Sequence, residues 1–162
     1  MKKEVIKLKT YAFIDSQNLN LGVRSQGWEL DWRKFRQYLR NKYNDAFLQE
    51  CGYILIFKPT ITRIDRNGIS VVKGNVDAEL VMHTMIEYKN YDKAIIVSGD
   101  GDFHCLVEYL DVQGKLLKIL VPTKRYSGLL RKFNRKLYIV RIDLLKSSLE
   151  KKKTGIRGRP KP

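Results

Sequence analysis

This chain of 162 residues has no apolar run of transmembrane length, which argues against a helical membrane protein. It also lacks the uninterrupted apolar core of a signal peptide. The opening, Met-Lys-Lys-Glu-Val-Ile-Lys-Leu-Lys-Thr, interleaves charge with apolar residues, and a cytoplasmic protein is the expectation. Cysteine is scarce: Cys51 and Cys105 show no Cys-x-x-Cys spacing, and both lie beside apolar segments. Buried, reduced thiols are expected, without a disulfide framework. His83 and His104 have no partner at metal-ligand spacing, so each reads as a packed or surface histidine. No Ser/His/Asp set has a recognisable context, and Ser-Gly-Asp-Gly-Asp lacks the Gly-x-Gly-x-x-Gly of a dinucleotide fingerprint.

Acid is scarce too. Asp and Glu number 17 against 32 Lys and Arg, for a formal net charge of +15 and a pI near 9.9. Such an excess points first to a polyanionic partner, either nucleic acid or an acidic membrane surface, the plainer reading being a basic surface that aids solubility. Residues 151–162 hold six basic residues and no acid, which leaves +9 on the first 150. With 43% hydrophobic residues, 1–150 has room for one globular domain with a core, and 151–162 reads as a basic disordered tail.

Patterning predicts strands at 11–14, 53–57, 94–97, 116–121 and 137–140. Ile61–Ile64 and the run 69–72 flank Arg66-Asn67-Gly68, a hairpin signal. A helix is predicted over 31–43, with Asp31 as N-cap and Trp32, Phe35 and Leu39 on one stripe. Another begins near Asp77 and is expected to present Ala78, Val81, Met82, Met85 and Ile86 on one face. A third spans 103–112 with Phe103, Leu106, Val107 and Leu110 inward and Gly114 as C-cap, and Ser127 caps a short helix to about Arg135. Strands alternating with helices imply an α/β fold whose parallel sheet is covered on both faces. Ligands in such folds bind at the carboxyl ends of strands, where strand order reverses.

Four acids draw attention, three of them at such strand ends. Asp15 ends the first strand; Asp100 and Asp102 follow the strand at 94–97 in Ser-Gly-Asp-Gly-Asp-Phe; Asp77 stands in the first turn of its helix. Each has a plainer reading. Ser16, Gln17 and Asn18 suit Asp15 to a helix cap, Asp102 could cap the helix at Phe103, and a helix dipole favours Asp77. Their convergence on one end of one sheet sets them apart. Clustered carboxylates raise one another's pKa values unless a cation neutralises them. Hard oxygen ligands suit Mg²⁺ or Mn²⁺, and those ions suit phosphodiester chemistry. A metal-dependent nuclease site is the reading.

At these residues the sequence resembles the NYN domain, a branch of the PIN-like nuclease superfamily, and within it the LabA-like group. The matching motifs are Phe13-Ile14-Asp15-Ser16-Gln17-Asn18-Leu19, Lys73-Gly74-Asn75-Val76-Asp77 and Val97-Ser98-Gly99-Asp100-Gly101-Asp102-Phe103. The resemblance implies a Rossmann-like, three-layer α/β/α fold and a metal-dependent ribonuclease site. Asp15, Asp77, Asp100 and Asp102 would be its catalytic acids and metal ligands, with Asn18 and Ser98 supporting them or contacting substrate. Single-stranded RNA is the expected partner and Mg²⁺ or Mn²⁺ the cofactor. Lys73, Lys124 and Arg125, with Arg131 and Lys132, are candidates for the phosphate track. The alternative is a non-catalytic RNA-binding module. A phosphatase of the haloacid dehalogenase type would want a second Asp two residues after Asp15, and position 17 is Gln. Between the first helix and Tyr53 the chain is about 20 residues shorter than the family pattern, roughly one strand–helix unit. The expectation is that 53–57 pairs directly with 11–14 in a sheet one strand narrower. An edge left open would invite a homodimer.

Overall fold

The computed structural model describes residues 8–43, 61–64, 70–73 and 76–152; for 61–64, 70–73, 76 and 77 it describes the backbone. Four parallel strands form the main sheet: β1 (Thr10–Ile14), β4 (Lys93–Val97), β5 (Leu116–Val121) and β6 (Ile139–Arg141), in the order β1-β4-β5-β6. Ile14 pairs with Val97, Val97 with Leu120, and Val121 with Arg141, so the carboxyl ends of all four strands share one edge. Residues 61–64 and 70–73, β2 and β3, pair antiparallel with each other, as the Asn-Gly signal predicts. Among the described residues they form a two-stranded sheet of their own. The expected strand at 53–57 lies outside the described residues. Among the described residues β1 pairs only with β4 and strand order runs in one direction.

The sheet is covered on both faces because its central strands are apolar on both. Along β4, Ala94 and Ile96 join one core cluster and Ile95 and Val97 the other, the period-2 alternation of a strand. The first cluster gathers Phe103, Leu106, Val107 and Leu110 from the segment leading into and through the helix His104–Val112, with Leu130 and Phe133 from the 3-10 helix Gly128–Lys136. The second takes Leu19 and Val23 from α1 (Ser16–Arg24), Phe35 and Leu39 from α2 (Trp32–Tyr43), and Leu149 from the closing helix Lys146–Leu149. The result is the expected three-layer α/β/α arrangement.

Several local expectations hold. Asp31 Oδ1 accepts the amides of Arg33 and Lys34 at 3.0 and 3.2 Å, capping α2. Gly114 takes φ +66° after the helix at 104–112, and Ser127 Oγ accepts the Leu129 amide at 3.3 Å. Others are corrected. On α3 (Val76–Ile86) the buried residues among the described side chains are Leu80 and Thr84; of the expected face Val81 is half-buried against the first core cluster, while Ala78, Met82, Met85 and Ile86 are exposed. Apolar residues lie all round this helix, so its pattern does not select a face. Thr84 can be buried because its hydroxyl donates to the Leu80 carbonyl at 2.7 Å. Cys105 is exposed, turned outward between the buried Phe103 and Leu106; Cys51 lies outside the described residues. The last strand starts at Ile139, since Leu137 takes φ 57° to end the 3-10 helix. Two α-helices lie where the apolar pattern predicts none: α1 and the helix Lys146–Leu149.

Candidate active site

Asp15 leaves β1 still inside the sheet ladder, its amide donating to the Val97 carbonyl at 3.0 Å. Its carboxylate is buried, 4% exposed, and both oxygens are used. Oδ1 accepts the Asn18 amide at 2.9 Å, which caps α1, and Oδ2 accepts the Ser98 hydroxyl at 3.2 Å. Capping and site geometry are therefore one interaction here, and the two readings of Asp15 are not exclusive.

From Ser98 the network runs on. Ser98 Oγ accepts the Asp100 amide at 3.1 Å, and Asp100 Oδ1 accepts the Asp102 amide at 3.0 Å. Asp100, rather than Asp102, thus caps the short 3-10 turn Gly101–Phe103, which leaves the Asp102 side chain exposed to solvent. Asn18 Oδ1 accepts the Gly99 amide at 2.9 Å and closes a ring of contacts through Asp15, Ser98 and Gly99. The structure therefore brings Asp15, Asn18, Ser98, Asp100 and Asp102 into one assembly on the carboxyl ends of β1 and β4.

The loop after β5 presses on this assembly. The Ser127 amide donates to the Gly99 carbonyl at 2.9 Å. A Cβ on Gly101 would collide with Ser127 Oγ, and one on Gly99 would sit 3.3 Å from Tyr126 Cβ and from Pro122 Cδ. Close approach thus demands glycine at 101 and leaves little room at 99, and neither position takes a left-handed backbone. Sequence reading missed Pro122, Tyr126 and Ser127 in this role; the one signal was their position just past a strand end.

No ion pair among the described residues involves Asp15, Asp100 or Asp102, in a chain of net charge +15. Some other acids are matched: Glu108 pairs with Lys132 at 2.8 Å, Asp111 with Lys136 at 2.6 Å, and Asp143 with Arg141 at 2.6 Å, whereas among the described residues Asp31, Glu87 and Asp92 accept only from amides. Lys132 is thus paired with Glu108, and the Glu108 carboxyl is held below its ordinary value chiefly by its hydrogen bond from Lys132. Lys124 and Arg125 are exposed on the loop after β5. Asp77 falls in the first turn of α3 and Lys73 ends β3; the side chains of both lie outside the described set.

Hard carboxylate oxygens are the right donors for Mg²⁺ or Mn²⁺. Among the described residues no three His, Cys, Asp or Glu side chains lie close enough to enclose an ion together. Mg²⁺ does not demand that, because it keeps several waters and commonly takes one or two protein carboxylates plus substrate phosphate. The donor set present fits such an ion.

The NYN domain profile matches residues 9–140. The chain belongs to the NYN domain family. NYN domains are typically nuclease-like, and membership points to interaction with nucleic acid. Among curated proteins the chain is similar to the low amplitude and bright protein LabA of Synechococcus elongatus, 23% identical over 121 residues. That match covers 60% of this chain and 65% of LabA, so this NYN chain spans a little under two thirds of that relative's length. Among solved structures it is similar to a Vibrio parahaemolyticus protein of unknown function, with TM-score 0.66 and 23% identity over 91% of this chain and 99% of the other. The likeness to that structure shows the fold. No helix among the described residues is long and apolar enough to cross a membrane.

Proposed function

We propose that this NYN protein is a metal-dependent endoribonuclease that hydrolyses phosphodiester bonds of single-stranded RNA at the carboxyl edge of β1 and β4. The observation that carries this reading is the hydrogen-bonded assembly of Asp15, Asp100 and Asp102, which has no cationic partner among the described residues of a strongly basic chain. One or two of the carboxylates of Asp15, Asp100 and Asp102 would hold Mg²⁺ or Mn²⁺ together with water and substrate phosphate, and Asp77 is a further candidate ligand. A divalent cation bound there would supply neutralising charge for a phosphoryl oxygen and a more acidic water.

The chain's own residues do the positioning. Ser98 fixes Asp15 Oδ2 from one side and the Asp100 amide from the other, so the two carboxylates cannot drift apart independently. Asn18 ties α1 to Gly99 and keeps the Asp-Gly-Asp turn against the end of β1. Lys124 and Arg125 attract the phosphate backbone, and the basic segment 151–162 adds affinity that salt should weaken. We place the activity in the cytoplasm.

A second reading, a non-catalytic RNA-binding module, draws on the absence of a three-residue metal cluster among the described residues. One assay separates them. Purified protein is incubated with a labelled single-stranded RNA in Mg²⁺, in Mn²⁺ and in EDTA, beside an Asp100→Asn control. Internal cleavage that needs the metal and vanishes in the control supports the nuclease. Binding without cleavage in either metal would leave the RNA-binding module.

A further inference from the structure

A second cavity opens on the same edge of the sheet, at the ends of β5 and β6. Its volume is about 370 Å³. Lys124, Arg131 and Arg141 supply its cations, Ile139 and Leu144 its apolar wall, and Tyr126 and Asn134 complete the lining. No acid lines it among the described residues.

The three cations are not equivalent. Arg141 is held by Asp143 in a two-pronged pair, Nε to Oδ1 at 3.0 Å and Nη2 to Oδ2 at 2.6 Å. Lys124 and Arg131 have no acidic partner among the described residues. Their neighbours on the 3-10 helix do, since Lys132 and Lys136 are taken by Glu108 and Asp111. Two of the three cations lining the cavity are thus left uncompensated, and an uncompensated Lys–Arg pair is a ready receptor for phosphate.

The cavity is also coupled to the acids. Tyr126 lines it and also packs beside Gly99, one residue before Asp100. The next residue, Ser127, donates its amide to the Gly99 carbonyl at 2.9 Å. The ends of β4 and β6 are separated by two interstrand spacings, about 10 Å. A single edge therefore runs from acidic at β1 and β4 to basic at β5 and β6, with an aromatic ring at the boundary. A paired base in a duplex cannot turn into a recess; an unpaired one can stack on an aromatic ring there.

We propose that this cavity is a subsite for one unpaired nucleotide of the RNA chain, its phosphate taken by Lys124 and Arg131 and its base or sugar by Tyr126, Asn134 and the wall of Ile139 and Leu144. The proposal rests on the nuclease reading for its place beside the cleavage site, yet it can be tested without cleavage. Full-length protein in EDTA is titrated with adenosine 5′-monophosphate, uridine 5′-monophosphate and inorganic phosphate by calorimetry. The same titrations are run on Arg131→Ala, Lys124→Ala and Asp100→Asn. Arg131 and Lys124 are exposed, so the first two variants should keep the fold, which circular dichroism checks.

At least one nucleotide should bind more tightly than phosphate. Each cavity variant should weaken that binding by about tenfold, the value of a lost charge-assisted contact. Asp100→Asn should bind as wild type does. Equal binding by wild type and both cavity variants would overturn the subsite, and so would a nucleotide that binds no better than phosphate. Weakening in Asp100→Asn alone would move the nucleotide to the acids and overturn it as well. If nucleotide binding behaves as expected but RNA is never cut, the nuclease reading fails and the subsite stands.

Discussion

The Asn18 side chain accepts the Gly99 amide at 2.9 Å across 81 residues of sequence, while its own amide donates to Asp15 Oδ1 at 2.9 Å. One residue thereby locks the start of α1 to the loop that carries Asp100. Asn18→Ala removes the acceptor and leaves a partly buried amide unmatched, at a cost of about 1 kcal/mol. Cleavage should fall by about tenfold as the turn loosens, since small displacements of catalytic groups are costly. Denaturant melts and an RNA cleavage assay on the same preparation check both.

Asp15 and Asp100 should separate in stability while agreeing in activity. Asp15→Asn replaces the oxygen that accepts the Ser98 hydroxyl or the one that accepts the Asn18 amide, so it should destabilise by about 1 kcal/mol. Asp100→Asn can keep an oxygen for the Asp102 amide and removes one of several clustered charges. Its stability in EDTA should equal or exceed wild type. Both should abolish metal-dependent cleavage. Paired thermal melts decide the first part; if either variant cuts RNA at the wild-type rate, the site assignment fails.

Gly101→Ala tests the loop's packing. The added methyl meets Ser127 Oγ and Leu129 Cδ1, so the 3-10 helix at 128–136 must shift or the Asp-Gly-Asp turn must rise. Overpacking of this kind costs about 1–3 kcal/mol. Pairing it with Ser127→Gly should restore part of the loss, because the colliding oxygen is gone. A double-mutant cycle showing strict additivity would mean that the two residues do not meet.

Asp143 gives a pH dependence. The hydrogen bonds from Arg141 hold its carboxyl below the ordinary value of 3.8, against the opposing effect of burial. A lowered folded-state value means that the pair's stabilisation is present above the unfolded value and is lost as pH falls through the folded one. Asp143→Asn should therefore melt below wild type at pH 7, with the gap closing as pH drops under about 4. A gap that stays constant from pH 7 to pH 2.5 would mean the ion pair adds nothing.

What the sequence determined by itself was whatever depends on neighbours in the chain. The apolar tetrads at 11–14 and 94–97 fixed two neighbouring parallel strands, Asp31 and Ser127 fixed two helix starts, and the spacing of Phe103, Leu106, Val107 and Leu110 fixed a buried face. The acids at strand ends were legible too, because a carboxylate after an apolar strand must fall on the carboxyl edge. Helix α1 was not, although Leu19 and Val23 are buried at i, i+4, since nine mostly polar residues give a weak periodic signal. The buried face of α3 needed the fold, because apolar residues encircle that helix and only packing chose Leu80 and Thr84. The Asn18–Gly99 bond, the press of Ser127 on Gly101 and the uncompensated Lys124 and Arg131 were likewise decided by tertiary structure. Each depends on which distant segments parallel strand pairing sets side by side, and on which cations the acids of other elements have already claimed.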